Sequence, residues 1–541
     1  MSTLNRIRRG WRVPLFAALA WLAVAVSAPS YAQLTIDVTT SAGRQVPIAI
    51  VPFANEANAP QNITPLIAGN LSRTGLFRIV NTGGITSIPT EPSEINFLDW
   101  TSRSSEALVI GAINPLPDGR FDVRFRLFDV AKQSQLSSFS YVVGAAQLRA
   151  TAHKISDEIY EKLIGEKGIF STRIAYVLKR GPRFELQVAD ADGFNPQTIL
   201  SSLEPIRSPK WSPDGGRIAY VSFESQKSTV IVQDLVTGRR STVANFKGDN
   251  YAPNWSPDGT RIVLALSKDA VSQIYIIPAG GGNAVRVTES NSIDTNATFN
   301  GDGKEIIFVS DRSGGPQLYS VPVTGGAVKR LTFEGNYNVN PRMSPDGKTV
   351  AFVSREAGRL RIATLELATG QTTVLTDGPL DDSPSFSPNG RTILYESKAG
   401  GRGTLGAVSA DGRVKQRLSS QAGDVREPAW GPYGTSSARC GPKLKPYKLR
   451  RYSKSLLFRR SEHEKTHHRR KPRGIAVGMC QQGPDQGNQG RGSFAADHQH
   501  CIDRHHAEHP RHRGHTGVRQ QARSAERPEQ SAVEARDLFR L

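Results

Sequence analysis

A repeat of about 44 residues dominates the middle of this 541-residue chain. Each copy places a bulky apolar residue directly before a turn tetrapeptide, most often Ser-Pro-Asp-Gly, and successive copies are 44, 44, 44, 43 and 44 residues apart. The six bulky residues are Trp211, Trp255, Phe299, Met343, Phe386 and Trp430. Repeats of about 40–45 residues are typical of propeller blades, which contain four short strands each. The spacing therefore predicts an array of equal β-units.

The residues around each turn also favour β-structure. Proline presets φ at the second position of the tetrapeptide, and Asp-Gly supplies the positive φ that closes a hairpin. An apolar run such as Ile218-Ala-Tyr-Val-Ser follows the turn. A second apolar strand, a glycine-rich turn and a short fourth strand then complete the unit. The pattern predicts four strands per repeat and leaves no room for a helix of useful length.

The two ends of the array indicate how it closes. The run Ile174-Ala-Tyr-Val matches the strand that follows each turn, but no such turn precedes it. Conversely, Trp430 is followed by turn residues and by no matching strand. If the last strand completes the first blade, residues 168–433 form a closed six-bladed propeller without open sheet edges. The alternatives, an open β-solenoid or unrelated hairpins, leave both half-units unexplained.

The first 32 residues have the features of a signal peptide. Four arginines precede an apolar stretch at 13–26, and Ser30-Tyr31-Ala32 provides a small-x-small cleavage site before Gln33. An uncleaved membrane anchor is the alternative, but the apolar stretch is short for a membrane span. We therefore expect an exported protein that acts outside the cytoplasm.

Residues 33–165 read as a separate α/β domain that can bury its own core. Apolar runs and helical spacing predict strands near 47–53, 77–80, 107–113 and 121–130, and helices at 62–75 and 146–164. His153 lies in the second helix, where we interpret it as a surface or cap-region histidine. The overall prediction is a mixed fold, an α/β domain followed by an all-β propeller.

Residues 434–541 differ from the rest of the chain. They hold all three cysteines and ten of the eleven histidines, and they carry +13 of the net charge of +20. Residues 33–433 carry only +3, so a basic surface for nucleic acid is not expected on the folded part. The tail lacks apolar periodicity and Cys-x-x-Cys spacing, which favours an out-of-frame translation product over a disordered extension or a metal site.

Residue counts also bear on catalysis. Residues 33–433 contain no cysteine and only one histidine, His153, so they cannot supply a cysteine–histidine zinc cluster, and a histidine-based triad is not expected. A serine peptidase of the prolyl-oligopeptidase type is the alternative from another class. It would need a further α/β domain with a Gly-x-Ser-x-Gly elbow, and no such motif follows residue 433. We expect no catalytic residue, metal or cofactor.

Several segments together resemble one known family. These are Val51-Pro52-Phe53, the segment from Arg126 to Val130, the helix and linker at 153–168, Arg173-Ile-Ala-Tyr-Val, and the six repeats closing at Trp430. In this order they resemble the TolB family, periplasmic propeller proteins of the Tol–Pal envelope system. The resemblance covers residues 33–433. Peptidase propellers share the turn motif, but the domain order and the junction segments are specific.

The resemblance implies a scaffold without a catalytic step, monomeric before it assembles. The propeller of such proteins docks the lipoprotein Pal, and the mature N-terminus engages TolA of the inner-membrane complex during outer-membrane constriction at cell division. On this sequence, the TolA segment corresponds to Gln33, Leu34, Thr35, Ile36, Asp37 and Val38. The expected Pal-facing residues lie in loops that enter inner strands: Asp249, Asn250, Ala252 and Thr295. Alternatively, the apolar residues of the first segment pair within the α/β domain.

Overall fold

The computed structural model describes residues 44–85, 87–418 and 423–434. The predicted signal peptide, the proposed TolA segment at 33–38 and the tail beyond residue 434 lie outside the described residues. Within the described ranges, no helix is both long enough and apolar enough to cross a membrane.

The N-terminal part is a five-stranded sheet with helices on its faces. Its strands are β1 (Val46–Ile50), β2 (Phe77–Val80), β3 (Ala107–Pro115), β4 (Phe121–Asp129) and β5 (Ser134–Val143). The order across the sheet is β2-β1-β3-β4-β5, with β1 parallel to both neighbours and the remaining pairs antiparallel. The helices are α1 (Thr64–Arg73), α2 (Phe97–Ser102) and α3 (Leu148–Ile164). This confirms the predicted α/β character, although β5 and α2 were not predicted.

The two long helices cover one face of this sheet. Ile67 of α1 and Ile155 of α3 pack with Val109 and Phe125 of the sheet in one buried cluster. On the opposite face, Trp100 of α2 packs on strand residues of β3 in a smaller cluster. The alternating pattern of the strands thus buries both faces, as expected for a sheet between helical layers.

Six four-stranded sheets follow. Blade 1 contains β6 (Arg173–Arg180), β7 (Arg183–Asp190) and β8 (Gln197–Ser202); blade 2 contains β9 (Ile206–Trp211), β10 (Arg217–Ser222), β11 (Thr229–Asp234) and β12 (Arg240–Ala244); blade 3 contains β13 (Asn250–Trp255), β14 (Arg261–Leu266), β15 (Gln273–Pro278) and β16 (Val285–Arg286). Blade 4 contains β17 (Asp294–Phe299), β18 (Glu305–Ser310), β19 (Gln317–Pro322) and β20 (Lys329–Arg330). Blade 5 contains β21 (Asn338–Met343), β22 (Thr349–Glu356), β23 (Arg359–Glu366) and β24 (Thr372–Val374); blade 6 contains β25 (Asp381–Phe386), β26 (Thr392–Ala399), β27 (Arg402–Ser409) and β28 (Lys415–Arg417).

The last described strand, β29 (Asp424–Trp430), closes the ring. It pairs antiparallel with β6 and so completes blade 1 in the order β29-β6-β7-β8. The first strands of blades 2 to 6 and β29 contact one another in sequence around the axis, which makes them the inner strands. The predicted closed six-bladed propeller is confirmed.

The bulky residue of each repeat joins its blade to the preceding one. The indole Nε1 of Trp211 donates to the carbonyl of Ala429 at 3.1 Å, and that of Trp255 donates to the carbonyl of Lys210 at 3.1 Å. In the turn that follows, the Ser212 hydroxyl accepts the backbone N–H of Arg217 at 2.9 Å. The repeat motif therefore serves both as hairpin and as contact between blades.

Every inner strand contains a β-bulge, which the sequence did not predict. The pairing register shifts in each of the six strands. Three residues before each bulky residue, the backbone has a φ of 48–55°, at Ser208, Ala252, Asn296, Asn340, Ser383 and Glu427. Left-handed backbone is unfavourable for such residues, so its recurrence in all six blades marks a shared geometric requirement. Bulges of this kind re-aim side chains, here around the central channel.

We call the end of the ring at which the inner strands begin the entry face, and the opposite end, where the tetrapeptide turns lie, the turn face. The N-terminal domain contacts the turn face. Glu166 pairs with Arg391, and Asn389 of the blade 6 tetrapeptide donates to the carbonyl of Lys167 at 3.3 Å. The entry face therefore lies on the other side of the ring from these contacts.

A partly buried carboxylate fixes the linker between the domains. Asp157 of α3 accepts the backbone N–H of Phe170 at 2.7 Å and that of Ser171 at 3.0 Å. A side chain at Gly168 would place its Cβ 2.4 Å from the carboxylate, so glycine is needed for this approach. Burial raises the pKa of Asp157 to about 6, and the hydrogen bonds from Ser171 and Phe170 oppose that rise.

We expect this carboxylate to give a measurable pH dependence of stability. Because its folded pKa lies above the ordinary value, the folded protein takes up a proton between about pH 6 and pH 4 more readily than the unfolded chain. The unfolding free energy of the native protein, measured relative to the Asp157→Asn variant, should therefore rise by roughly 2–3 kcal/mol as the pH falls from 7 to 4. Urea denaturation of both proteins at several pH values tests this. A difference that is independent of pH would contradict it.

Candidate partner-binding face

The entry face is built around one polar position that recurs at the start of four inner strands. Asn250, Asp294, Asn338 and Asp381 occupy equivalent places in blades 3 to 6, and each is at most 2% exposed. Each side chain binds the loop or strand beside it, so these loops are held by hydrogen bonds from within the fold. Polar groups at this depth are retained only where such bonds satisfy them.

Asn250 shows how the position works. Its Oδ1 accepts the N–H of Phe246 at 2.8 Å, and its Nδ2 donates to the carbonyls of Phe246 at 2.9 Å and Gly248 at 3.1 Å. The backbone N–H donates to the Ser228 hydroxyl at 2.9 Å. The side chain, expected to face a partner, is thus buried beneath its own loop and shapes that loop.

Thr295 is also enclosed. It is 1% exposed, and its hydroxyl donates to Oδ1 of Asn296 at 3.3 Å. Asn296 is the bulge residue of blade 4, and its amide donates in turn to Asn340 of blade 5. Thr295 therefore supports the bulge of blade 4 and does not present its side chain at the surface.

Asp249 and Ala252 are the two expected residues that solvent reaches. Asp249 is exposed, with its backbone N–H bound to the Ser267 hydroxyl at 2.8 Å and its carboxylate 3.5 Å from the Ser228 hydroxyl. Ala252 is partly exposed at the bulge of blade 3, with a φ of 52°. The structure thus places these two at the surface and the other two directly beneath it.

The bulge residues form a polar ring in which Ala252 leaves a gap. Asn340 donates to Oδ1 of Asp382 at 2.7 Å, and the backbone N–H of Ser208 donates to the carboxylate of Glu427. At the equivalent position of blade 3, the methyl group of Ala252 can make no such bond. The polar ring is therefore interrupted at blade 3, three residues after Asp249 in the chain.

Two exposed apolar residues of the entry face were missed by the sequence analysis. Leu203 and Phe333 follow the last strands of blades 1 and 4 and are 63% and 73% exposed. The matching position in the other described blades holds Asn245, Glu289 and Asp377, all exposed. Aligning the six repeats would have revealed the two apolar exceptions, because the position after the fourth strand is otherwise polar.

A second polar cluster lies between the domains. His153, Asp190 and Asp192 have potential ligand atoms within 4.8 Å of one another, the only such group among the described residues. However, Arg149 pairs with both carboxylates, and Arg73 lies 3.7 Å from that of Asp192. Two guanidinium groups thus already balance the two carboxylates, and a metal ion would have to displace them.

The sequence-based interpretation of His153 was wrong. The residue is only 3% exposed, and its Nδ1 lies 3.0 Å from Nδ2 of Asn70, which can only donate. The proton of the ring is therefore on Nε2. Burial lowers the pKa of His153 to about 4, against the attraction of Asp192. A neutral, buried histidine packs the joint between α3, α1 and blade 1.

A closed ring of six blades, with loops held from within at one face and an α/β domain bound at the other, defines a two-domain β-propeller protein. Residues 160–434 match the family model described as the TolB beta propeller domain, and residues 34–136 match the TolB amino-terminal domain. The chain belongs to the TolB family.

Individual relatives agree with this assignment. The Tol-Pal system protein TolB of Methylobacillus flagellatus is 62% identical over 420 residues, which cover 77% of this chain and 97% of that protein. The protein of the same name from Aromatoleum aromaticum is 64% identical over 429 residues, or 79% of this chain and 99% of that protein. The crystal structure of TolB from Acinetobacter baumannii is 40% identical with a TM-score of 0.68, and the match covers 74% of this chain and 100% of that one.

Proposed function

We propose that this protein is a periplasmic scaffold of the Tol–Pal system. In this proposal residues 1–32 direct export, the entry face of the propeller docks Pal, and residues 33–38 engage TolA. The protein then links the outer membrane to the inner-membrane complex and supports outer-membrane invagination at division and envelope integrity. Membership of the TolB family and relatives named as Tol-Pal system proteins support the system-level role.

The observation that carries the docking proposal is the preformed entry face. Its loops are tied by buried side chains such as Asn250 and Asp294, so little conformational freedom is left to lose on binding. Binding to a preorganised surface avoids the entropic cost of ordering loops. The exposed carboxylate of Asp249 and the gap at Ala252 give this surface charge and shape, and Phe333 adds an apolar contact.

A scaffold role also fits the chemistry of the folded part better than peptide hydrolysis. His153 is the only histidine between residues 33 and 433, and it is buried against Asn70 in the joint between the domains. A general base must reach the proton that it abstracts, which this ring does not do from inside the joint. We therefore propose that the protein is not an enzyme.

The TolA half of the proposal concerns residues 33–38, which lie outside the described residues. Their alternation of Leu34, Ile36 and Val38 with polar residues suits an extended strand that adds to the sheet edge of a partner. The described residues begin at Arg44, and β1 starts at Val46. Strand addition would need the segment to be free of its own domain when TolA binds.

A crossed experiment tests both halves. We expect the double variant Asp249→Lys, Ala252→Arg to weaken Pal binding at least tenfold, about 1.4 kcal/mol, because it reverses a charge and fills the gap. TolA binding should be unchanged. Deletion of residues 33–38 should give the opposite pattern, with TolA binding lost and Pal binding retained. Both affinities can be measured by calorimetry with purified Pal and TolA.

The matched control is Glu305→Lys, an equal charge reversal at an exposed site where β18 begins, beside the turn face. It should bind Pal as the native protein does. If the folded double variant keeps the native affinity for Pal, the entry face is not the docking surface. If the deletion variant still binds TolA, residues 33–38 are not the TolA segment.

A further inference from the structure

Two cationic side chains occupy equivalent positions on opposite sides of the propeller channel. Lys210 is the next-to-last residue of β9, and Arg342 is the next-to-last residue of β21. These inner strands belong to blades 2 and 5, three repeats apart, which is half of a six-bladed ring. Both residues are partly exposed although they lie in the innermost strands. They therefore face each other across the water-accessible channel, one residue inside its turn-face end.

Neither cation is neutralised by an adjacent carboxylate in the described part of the chain. Nη1 of Arg342 donates to the carbonyl of Pro341 at 2.7 Å, whereas its Nε has no hydrogen-bond partner. The ammonium group of Lys210 forms no hydrogen bond or ion pair with the described residues. This differs from Arg312 or Arg149, each of which binds carboxylate oxygen atoms directly.

The acidic residues that face these cations are engaged elsewhere. Asp382 accepts the amide of Asn340 at 2.7 Å. Glu427 accepts the backbone N–H of Ser208 and lies 3.5 Å from Arg207. A third acid nearby, the buried Glu396 of β26, lies 3.2 Å from Lys398 and accepts the backbone N–H of Glu427 at 3.0 Å. Each carboxylate thus has nearer partners than the two channel cations.

The electrostatic consequence agrees with this geometry. Enclosure in the channel lowers the pKa of Lys210 well below its usual range, and the charge of Arg342 lowers it further, while Glu427 opposes the shift only in part. Enclosure also lowers the pKa of Arg342 to about 10, while Asp382 and Glu427 oppose that shift only in part. Both directions are those of cations that lack a close counter-charge.

The remaining residues of this level leave room and add polar groups. The equivalent positions of the other four blades hold Asn254, Thr298, Ser385 and Ala429, none of them large. Asn254 accepts the backbone N–H of Trp255 through Oδ1 at 3.0 Å, so its Nδ2 remains a donor. A guanidinium, an ammonium and an amide donor at one level of the ring are the groups that bind the oxygen atoms of a tetrahedral anion.

We propose that Lys210 and Arg342 form a binding site for a small oxyanion of the phosphate class in the propeller channel. The anion bridges blades 2 and 5 and contacts both cations directly, which none of the described carboxylates does. The site lies near the turn face, at the other end of the channel from the proposed Pal surface, and does not depend on that proposal.

The test compares phosphate with chloride at constant ionic strength, using the full-length purified protein. Inorganic phosphate is titrated at pH 7.5 with sodium chloride as replacement salt, and binding is followed by calorimetry and by the thermal midpoint. We expect saturable binding by the native protein and at least tenfold weaker binding by Lys210→Met and by Arg342→Met. Lys304→Met, which removes an exposed lysine at a turn, is the control for general charge and salt effects and should bind as the native protein does.

A second measurement keeps the test decisive if one variant folds poorly. In low-salt buffer without phosphate, Lys210→Met should raise the thermal midpoint above that of the native protein, because it removes the repulsion across the channel. Saturating phosphate should reduce or reverse that advantage. Absence of saturable phosphate binding by the native protein, or binding as tight as that of the native protein in both channel variants, would overturn the proposal.

Discussion

Replacement of Asp294 by alanine is expected to lower the unfolding free energy by about 3 kcal/mol. Removal of one partner of a buried ion pair costs roughly 3–5 kcal/mol, because the other charge is left uncompensated. The side chain of Asp294 is fully buried, and both of its oxygens accept from Nη2 of Arg312, at 3.1 and 3.0 Å. Without the carboxylate, Arg312 stays packed against the rings of Phe308 and Tyr319 with its charge uncompensated. Because the arginine is 24% exposed, water limits the loss to the lower part of that range.

Urea denaturation of single and double variants separates the charge effect from simple loss of packing. Arg312→Met retains an apolar stem on the two aromatic rings. Any stability that this variant loses should therefore come from the unpaired carboxylate of Asp294 and not from lost packing. The double variant Asp294→Ala, Arg312→Met should regain part of the stability that Asp294→Ala loses, since it leaves no orphaned charge. Losses that simply add up would mean that the two groups do not interact. A loss below about 1 kcal/mol for Asp294→Ala would place the pair among surface ion pairs.

This ion pair also shows what the sequence could not reveal at the entry face. The fixed period predicted six blades, because bulky residues and turn tetrapeptides lie next to each other in the chain. Asp294, by contrast, finds Arg312 in the turn between β18 and β19 of its own blade, and Asn250 binds the loop before it. A polar residue next to a turn has the same pattern whether it is solvated or buried. The exposed Asp249 and the buried Asn250 are therefore alike in sequence and opposite in structure.

Strand β5 and helix α2 escaped prediction for related reasons. β5 contains four serines among ten residues, so its alternation of apolar and polar positions is weak, as expected for an edge strand. Helix α2 has only six residues and is defined by one buried side chain, Trp100. The bulges of the inner strands have no signature at all, since serine, alanine, asparagine and glutamate occupy the same left-handed position. Closure around the channel imposes that geometry, whatever the residue.

Loss of the indole of Trp430 is expected to be the most damaging single change at the closing strand. Its Nε1 donates to the Thr172 hydroxyl at 2.9 Å, its backbone N–H donates to the Ser385 hydroxyl at 2.8 Å, and β29 pairs with β6 across about 250 residues of chain. Removal of such a large packed side chain should cost about 3 kcal/mol, whereas Trp430→Phe should cost about 1 kcal/mol through the lost hydrogen bond.

Trp430→Ala should also loosen the pairing of β29 with β6, which the matched variant Trp255→Ala should leave intact. Trp255 makes the same kind of indole contact, to the carbonyl of Lys210, but its blade is built from four consecutive strands. Only at blade 1 does a distant strand have to be held in place against the entropy of the intervening chain. Hydrogen exchange should therefore show loss of amide protection along β6 in Trp430→Ala and not in Trp255→Ala. Equal loss along β6 in both variants would mean that the ring opens at no preferred seam, and that closure by β29 contributes no more than any other contact between blades.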